Sequence, residues 1–234
     1  MNLINPFWYA AAGPTDPNFA NVVLLCHFDG TNGSTTFIDS SSVARSVTAT
    51  GSISLTTAQQ KFGTASLDAG AANSYAGAPF STDWNFGAGQ FTVEAWIRPT
   101  ATISGFRGVV AQWGAAPNQG WYLGFNATTV AWIYSTTGTA FTQLTATFSP
   151  TLNAWMHLAV DRDAGGILRV YTDGTQRILA SPPAIFNSTL GLYIGNDGLL
   201  THNFVGQIDE VRITKGVARY GGAFTPPAAP FPDA

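Results

Sequence analysis

Two stretches decide the fold: FTVEAWIR at residues 91–98 and WMHLAV at residues 155–160. In the first, Phe91, Val93, Ala95 and Ile97 share one parity, while Thr92, Glu94, Trp96 and Arg98 share the other. That alternation is the mark of a strand whose two faces meet different surroundings. The second stretch is apolar on both parities, which predicts a central strand covered above and below. Working outward, Gly, Pro, Ser and Thr break the chain every eight to twelve residues, and no sustained helical period separates them. Strands are predicted over Val22–Phe28, Phe91–Arg98, Gly108–Trp113, Trp121–Phe125, Val130–Ser135, Phe141–Thr147, Trp155–Arg162, Leu168–Thr172, Gln176–Ala180, Leu190–Gly195 and Phe204–Thr214, with weaker ones between Thr35 and Leu67. In YTDGTQRIL, Asp173-Gly174 supplies the positive φ angles of a tight hairpin turn. In FVGQIDEVRIT (204–214), Phe204 and Ile208 share one parity and Val211 and Ile213 the other, so a β-bulge is expected near Asp209-Glu210.

The composition narrows the function classes. The chain has 234 residues, 45% hydrophobic, 13% aromatic and 10% charged, which suits a compact domain that buries a sizeable core. Ten Lys and Arg against thirteen Asp and Glu give a net charge of -3, with no basic run that would follow a phosphate backbone, so nucleic acid is not an expected partner. No apolar run approaches the roughly 20 residues of a membrane-spanning helix, and insertion in a bilayer is not expected. The single cysteine, Cys26, has no partner for an internal disulfide. The first twenty residues lack the cationic start of a secretion signal.

Several segments together carry a resemblance: LLCHFDGTNGSTTFIDSS (24–41), AQQKFGTASLDAG (58–70), GQFTVEAWIRP (89–99), AWMHLAVDRDAGGILRVYTDG (154–174), and FVGQIDEVRITKGVARY (204–220) followed by FTPP (224–227). In this order they resemble the laminin G-like, concanavalin A-like lectin/glucanase jelly-roll family, over about residues 22 to 227. The resemblance implies an all-β sandwich of two antiparallel sheets, with the first and last strands side by side. It divides the chain into an extended N-terminal arm (1–21), the jelly-roll domain (22–223) and a Pro-rich C-terminal tail (224–234). The wording of the motifs, HFDG and IDEVRI with the RY and FTPP tail, is similar to that of bacteriophage structural proteins. It implies a non-enzymatic virion protein, made in the host cytoplasm, which decorates the capsid or tail surface and binds glycans or a host surface. The alternatives are a bacterial carbohydrate-binding or adhesion module and, less favoured, a polysaccharide hydrolase.

Candidate sites follow from residue chemistry. Glycosidases use two carboxylates. The two glutamates, Glu94 and Glu210, stand alone in their strands without the E-x-D-x-x-E pattern of the family's retaining enzymes, so no catalytic residue is assigned. Glu94 is expected to pair with an arginine or a hydroxyl in the sheet, and His157 to be a core or interlayer histidine. His27, His157 and His202 are too dispersed for zinc. Calcium takes oxygen ligands at strand ends, and Asp29, Asp39 and Asp209 are its candidate ligands. Aromatic rings can stack on sugars, which singles out Trp113, Trp121 and Trp132 as glycan contacts. Ile4, Phe7, Trp8 and Tyr9 would expose much apolar surface on a free arm, so they are the expected anchors on other virion proteins or on a second copy.

Overall fold

The computed structural model describes residues 15–234. The candidate anchors Ile4, Phe7, Trp8 and Tyr9 lie outside the described residues. Sixteen strands and two short 3₁₀ turns, Phe19–Asn21 ahead of the first strand and Thr82–Trp84 between the sixth and seventh, make up the regular structure of the described residues. They are β1 (Val22–Cys26), β2 (Thr36–Phe37), β3 (Val47–Thr50), β4 (Ser54–Thr56), β5 (Ser66–Ala69), β6 (Tyr75–Ala78), β7 (Phe91–Pro99) and β8 (Phe106–Gln112). The second half holds β9 (Trp121–Asn126), β10 (Thr129–Ser135), β11 (Phe141–Thr147), β12 (Met156–Arg162), β13 (Leu168–Thr172), β14 (Thr175–Ala180), β15 (Leu192–Ile194) and β16 (Gly206–Lys215).

The strands form two antiparallel sheets. The first runs β14-β13-β12-β7-β16-β5-β4, with β1 also on β16, and the second runs β11-β10-β9-β8-β15-β6-β3-β2. Beginning and end of the domain therefore meet at the β1–β16 pair, as a jelly roll requires. Strand β16 exchanges partners along one edge, from β5 at Gly206–Ile208 to β1 from Val211 onward. A bulge makes the exchange possible: Asp209 faces Trp96 and Arg212 faces Glu94, so two residues oppose one. Glu210 takes φ of 52° there. The bulge lies at the expected place, and it returns Val211 and Ile213 to the core that Phe204 and Ile208 already occupy. The hairpin at Asp173-Gly174 is also present, with φ of 48° and 72°.

The space between the sheets is filled by Trp84, Trp121, Trp132, Phe91 and Phe125 with aliphatic neighbours. Trp121 and Trp132 stack at 5.7 Å, and Trp121 donates its indole N–H to the Trp84 carbonyl at 2.7 Å.

The outward face of the first sheet is covered by the C-terminal tail. Phe224 stacks on Tyr220 at 3.5 Å, and both lie edge-on to His157 of β12. Phe231 is buried against Val22, Leu25 and Phe19. This cover accounts for the double-sided apolar character of WMHLAV. The end of the expected arm belongs to the same face: Arg219 holds both carboxylate oxygens of Asp16, at 3.1 and 2.7 Å, and Asp16 N donates to Ala234 O at 2.8 Å. No helix among the described residues is long and apolar enough to cross a membrane.

Candidate functional site

The candidate site is on the outward face of the second sheet. There, side chains of the parity opposite to the core form a separate cluster of Ala111, Trp113, Tyr122, Ala131 and Ile133, with Phe106 packed against it. Small residues make the room. A Cβ on Gly124 would come within 3.0 Å of the Tyr122 ring, and one on Gly108 within 3.1 Å. The Tyr122 ring therefore lies flat over two glycines. A bulge between Gly108 and Val110 in β8 turns both Val109 and Val110 inward, which places Phe106 and Trp113 on the same face although they are seven residues apart.

Over this face folds the loop between β15 and β16. His202 O accepts from Gly108 N at 2.7 Å, Asn196 Oδ1 accepts from Asp197 N and His202 N, and Asp197 Oδ1 accepts from Leu199 N. Loop and sheet enclose a pocket of about 200 Å³ lined by Phe106, Trp113, Gln119, Tyr122, Ile133, Phe141, Asp197, Leu199 and His202. Its rings stand nearly at right angles, with Trp113 and Phe141 at 81° and 5.5 Å, and Phe106 and Tyr122 at 81° and 6.3 Å. His202 adds an edge against Phe106 at 5.2 Å. Tyr122 and Gln119 line the pocket with their side chains, while their Oη and Oε1 atoms are themselves buried. Asp197 is wholly buried, and its Oδ2 lies 2.6 Å from His202 Nδ1. A carboxylate only accepts, so His202 Nδ1 is the donor in this contact. Burial, followed by the charge of Asp197, pushes the Tyr122 phenol well above its ordinary value. A second, open hollow of about 400 Å³ lies on the same face over Tyr75, Gly77 and Tyr193.

Of the expected glycan contacts, Trp113 lines this pocket. Trp121 and Trp132 do not: both are fully buried between the sheets, with no ring face left for a ligand. The expected calcium set also fails to converge. Asp39 accepts from the backbone of Leu25, Ser41 and Arg45, Asp209 from that of Lys61, Phe62 and Glu210, and Asp29 from Thr64 N and Oγ1. These oxygens are used to fix loops, and no group of three or more His, Cys, Asp or Glu side chains fit for a metal occurs among the described residues.

The two glutamates sit on the first sheet, away from the pocket. Glu94 Oε1 accepts from Arg212 at 2.9 Å, Oε2 accepts from the Tyr220 hydroxyl, and His157 Nε2 lies 3.2 Å from Oε2. Burial alone would raise the Glu94 carboxyl, but Arg212, with His157 and Tyr220, overcomes it and holds the group at about 2. Glu210 Oε1 lies 2.8 Å from His27 Nδ1, and its Oε2 accepts from Phe231 N at 2.8 Å. Glu94 therefore has the arginine and hydroxyl partners expected of it. The sequence did not reveal Tyr122, Phe106, Phe141, Gln119, Asp197 and His202 as one constellation. Their signal is the set of small residues, Gly108, Ala111, Gly124 and Ala131, which leaves a hollow on one parity of adjacent strands.

Two antiparallel sheets joined as a jelly roll define the class of concanavalin A-like β-sandwiches. Residues 69–218 match the model of the concanavalin A-like lectin/glucanases superfamily (Laminin_G_3), and the chain belongs to that family. No curated protein matches it in sequence. Among solved structures it is similar to the binding domain of paraclostridial mosquitocidal protein 1, with a TM-score of 0.64 and 16% identity over 86% of this chain and 50% of that one. It is also similar to domain 4 of AbnA, an extracellular arabinanase from Geobacillus stearothermophilus, in complex with arabinotriose; the TM-score is 0.60 with 18% identity over 84% and 93% of the two chains. The botulinum neurotoxin serotype D ligand binding domain in complex with N-acetylneuraminic acid gives 0.64 with 13% identity over 86% and 49%. The chain thus spans about half the length of the toxin domains it matches, and at these identities the likeness is one of fold.

Proposed function

We propose that this protein is a non-catalytic carbohydrate-binding module and that the pocket over Trp113, Tyr122 and Phe141 holds a sugar. One observation carries the reading: an apolar hollow of about 200 Å³ on the outward face of the second sheet, walled by the rings of Phe106, Trp113, Tyr122 and Phe141. Aromatic walls of this kind offer apolar contact to the C–H faces of a sugar ring. The sugar-complexed neighbours of the same fold are consistent with that use. Hydrolysis has less support, because Asp197 is the single carboxylate lining the pocket and glycoside cleavage ordinarily needs two. A glycan array with the wild-type protein and Trp113→Ala tests the reading. Specific binding lost in the variant is expected, and a wild-type protein that binds no glycan refutes it.

The setting proposed for the module is a phage particle, where it decorates the surface and is held through Ile4, Phe7, Trp8 and Tyr9. The support is the ordered succession of motifs from HFDG to FTPP. Mass spectrometry of purified particles should find the protein, and a variant lacking residues 1–14 should be missing from them. Particles free of the wild-type protein would point instead to a bacterial adhesion module.

A further inference from the structure

The walls of the pocket decide how a glycan can enter it. One long wall is the loop between β15 and β16, tied to the sheet at both ends: Gly198 N donates to Trp113 O and Gly108 N to His202 O, each at 2.7 Å. Within the loop, Leu199 N donates to Asp197 Oδ1 at 3.0 Å and His202 N to Asn196 Oδ1 at 3.2 Å, which holds the wall along its length. Rings close its two corners. Phe106 meets His202 at 5.2 Å, and Trp113 meets Phe141 of the edge strand β11 at 5.5 Å. The remaining side is polar, with Asn126 Nδ2 donating to Gln143 Oε1 at 3.1 Å. Asn126 lies opposite Thr129 on one side of β10 and Gln143 opposite Ile133 on the other, so this bond crosses over the outward-facing Ala131. The pocket is thus bounded all round in the plane of the sheet and opens outward. Its loop wall also separates it from the second hollow. Asp197 and Leu199 line the pocket, whereas a Cβ on Gly198 would lie 3.2 Å from the hydroxyl of Tyr193, which lines the other.

A polysaccharide lying along or across the sheet would have to pass through one of these walls, whereas a single residue enters from outside. At about 200 Å³ the pocket is also smaller than the roughly 300–1,000 Å³ that enclose a drug-sized ligand. We propose that the pocket reads a chain end: it holds one terminal sugar residue of a glycan, the tip of a branch included, and no interior stretch of a linear polysaccharide. The proposal rests on the carbohydrate-binding reading of the same pocket.

Isothermal titration with linear oligomers of glucose, galactose, mannose, arabinose and N-acetylglucosamine, each of two, four and six residues, tests it. Further interior subsites would add contacts with length, and each 1.4 kcal/mol of them tightens binding about tenfold. In any series that binds, the affinity should therefore change by less than about threefold from two residues to six. A larger rise with length overturns the chain-end reading and leaves the carbohydrate reading standing. Tyr193→Ala, which strips a wall from the second hollow, should leave every length unchanged, and a loss confined to the longer oligomers overturns the proposal. Should that variant fail to fold, Phe80→Ala serves instead, because Phe80 lines the same hollow and is 47% exposed. Silence of all five series overturns the chain-end reading, and the carbohydrate reading falls with it when the glycan array is silent too.

Discussion

Replacing Glu94 by glutamine removes one charge from the middle of the first sheet while keeping shape and volume. In the native protein this carboxylate lies between Arg212 and Tyr220, wholly buried, with its carboxyl held at about 2 against an ordinary 4.5. A displacement of about 2.5 pH units corresponds to about 3 kcal/mol at 1.36 kcal/mol per unit. That agrees with the ~3–5 kcal/mol typical of breaking a buried ion pair from one side, and the lower end fits because Arg212 keeps Asp16 at 3.2 Å. For a chain of this size unfolding entropy is about 0.5 kcal/mol/K, so the melting temperature at pH 7 should fall by about 6 °C. The pH dependence has a definite sign. The folded carboxyl titrates below the unfolded one, so its stabilisation is complete above pH 4.5 and is lost as pH falls from there toward 2. Urea unfolding of wild type and Glu94→Gln at pH 7, 4.5 and 3 measures both quantities. The variant's deficit should shrink on acidification. A variant within about 1 kcal/mol of wild type at pH 7, or a deficit that does not change with pH, would refute the claim that Arg212 and Tyr220 make the buried Glu94 carboxylate a stabilising group.

Other outcomes follow from the same coordinates. Phe231→Ala empties the site against Val22 and Leu25 and should cost about 3 kcal/mol, with the tail becoming sensitive to protease; an unchanged denaturation midpoint would count against the tail as part of the fold. Gly174→Ala places a Cβ 1.8 Å from the Phe224 carbonyl at a φ of 72°, so it should destabilise by about 2 kcal/mol, and a neutral result in thermal melts would contradict the packing of tail on hairpin. Saturating calcium should shift the melting temperature by less than about 1 °C, because Asp29 and Asp209 already accept amide protons of the 61–64 loop and Asp39 those of Leu25, Ser41 and Arg45; a rise of several degrees would show that the native state binds the ion.

Much of the sandwich was legible because parity is a local property. The alternation in FTVEAWIR, the Asp173-Gly174 turn and the parity change at Asp209-Glu210 each report a backbone geometry set within a few residues. The short strands β5 and β6 were harder to read, since the four-residue stretches SLDA and YAGA are too short to carry a periodic signal. The pocket was harder still. Phe106 and Trp113 have opposite parity on paper, and only the bulge after Gly108 puts them on one face. Aromatic content alone did not separate Trp113 from Trp121 and Trp132, because the same residue type fills an inter-sheet core and lines a surface hollow. The tail shows the same limit: its prolines announce extended chain, but the buried Phe231 depends on residues two hundred positions away.

The amide of Asp16 bonded to the carbonyl of Ala234 brings both ends of the described chain to one side of the body. The aromatic pocket over Trp113 and Tyr122 opens on the other side, beyond two stacked sheets with a spacing of about 10 Å. Any tether joined at either end is thus kept behind the face that carries the pocket, so copies crowded onto one support would keep every pocket facing out. Under the proposed carbohydrate-binding role, weak single contacts would then add up across neighbours, and a ligand too loosely held by one copy would be retained by the array.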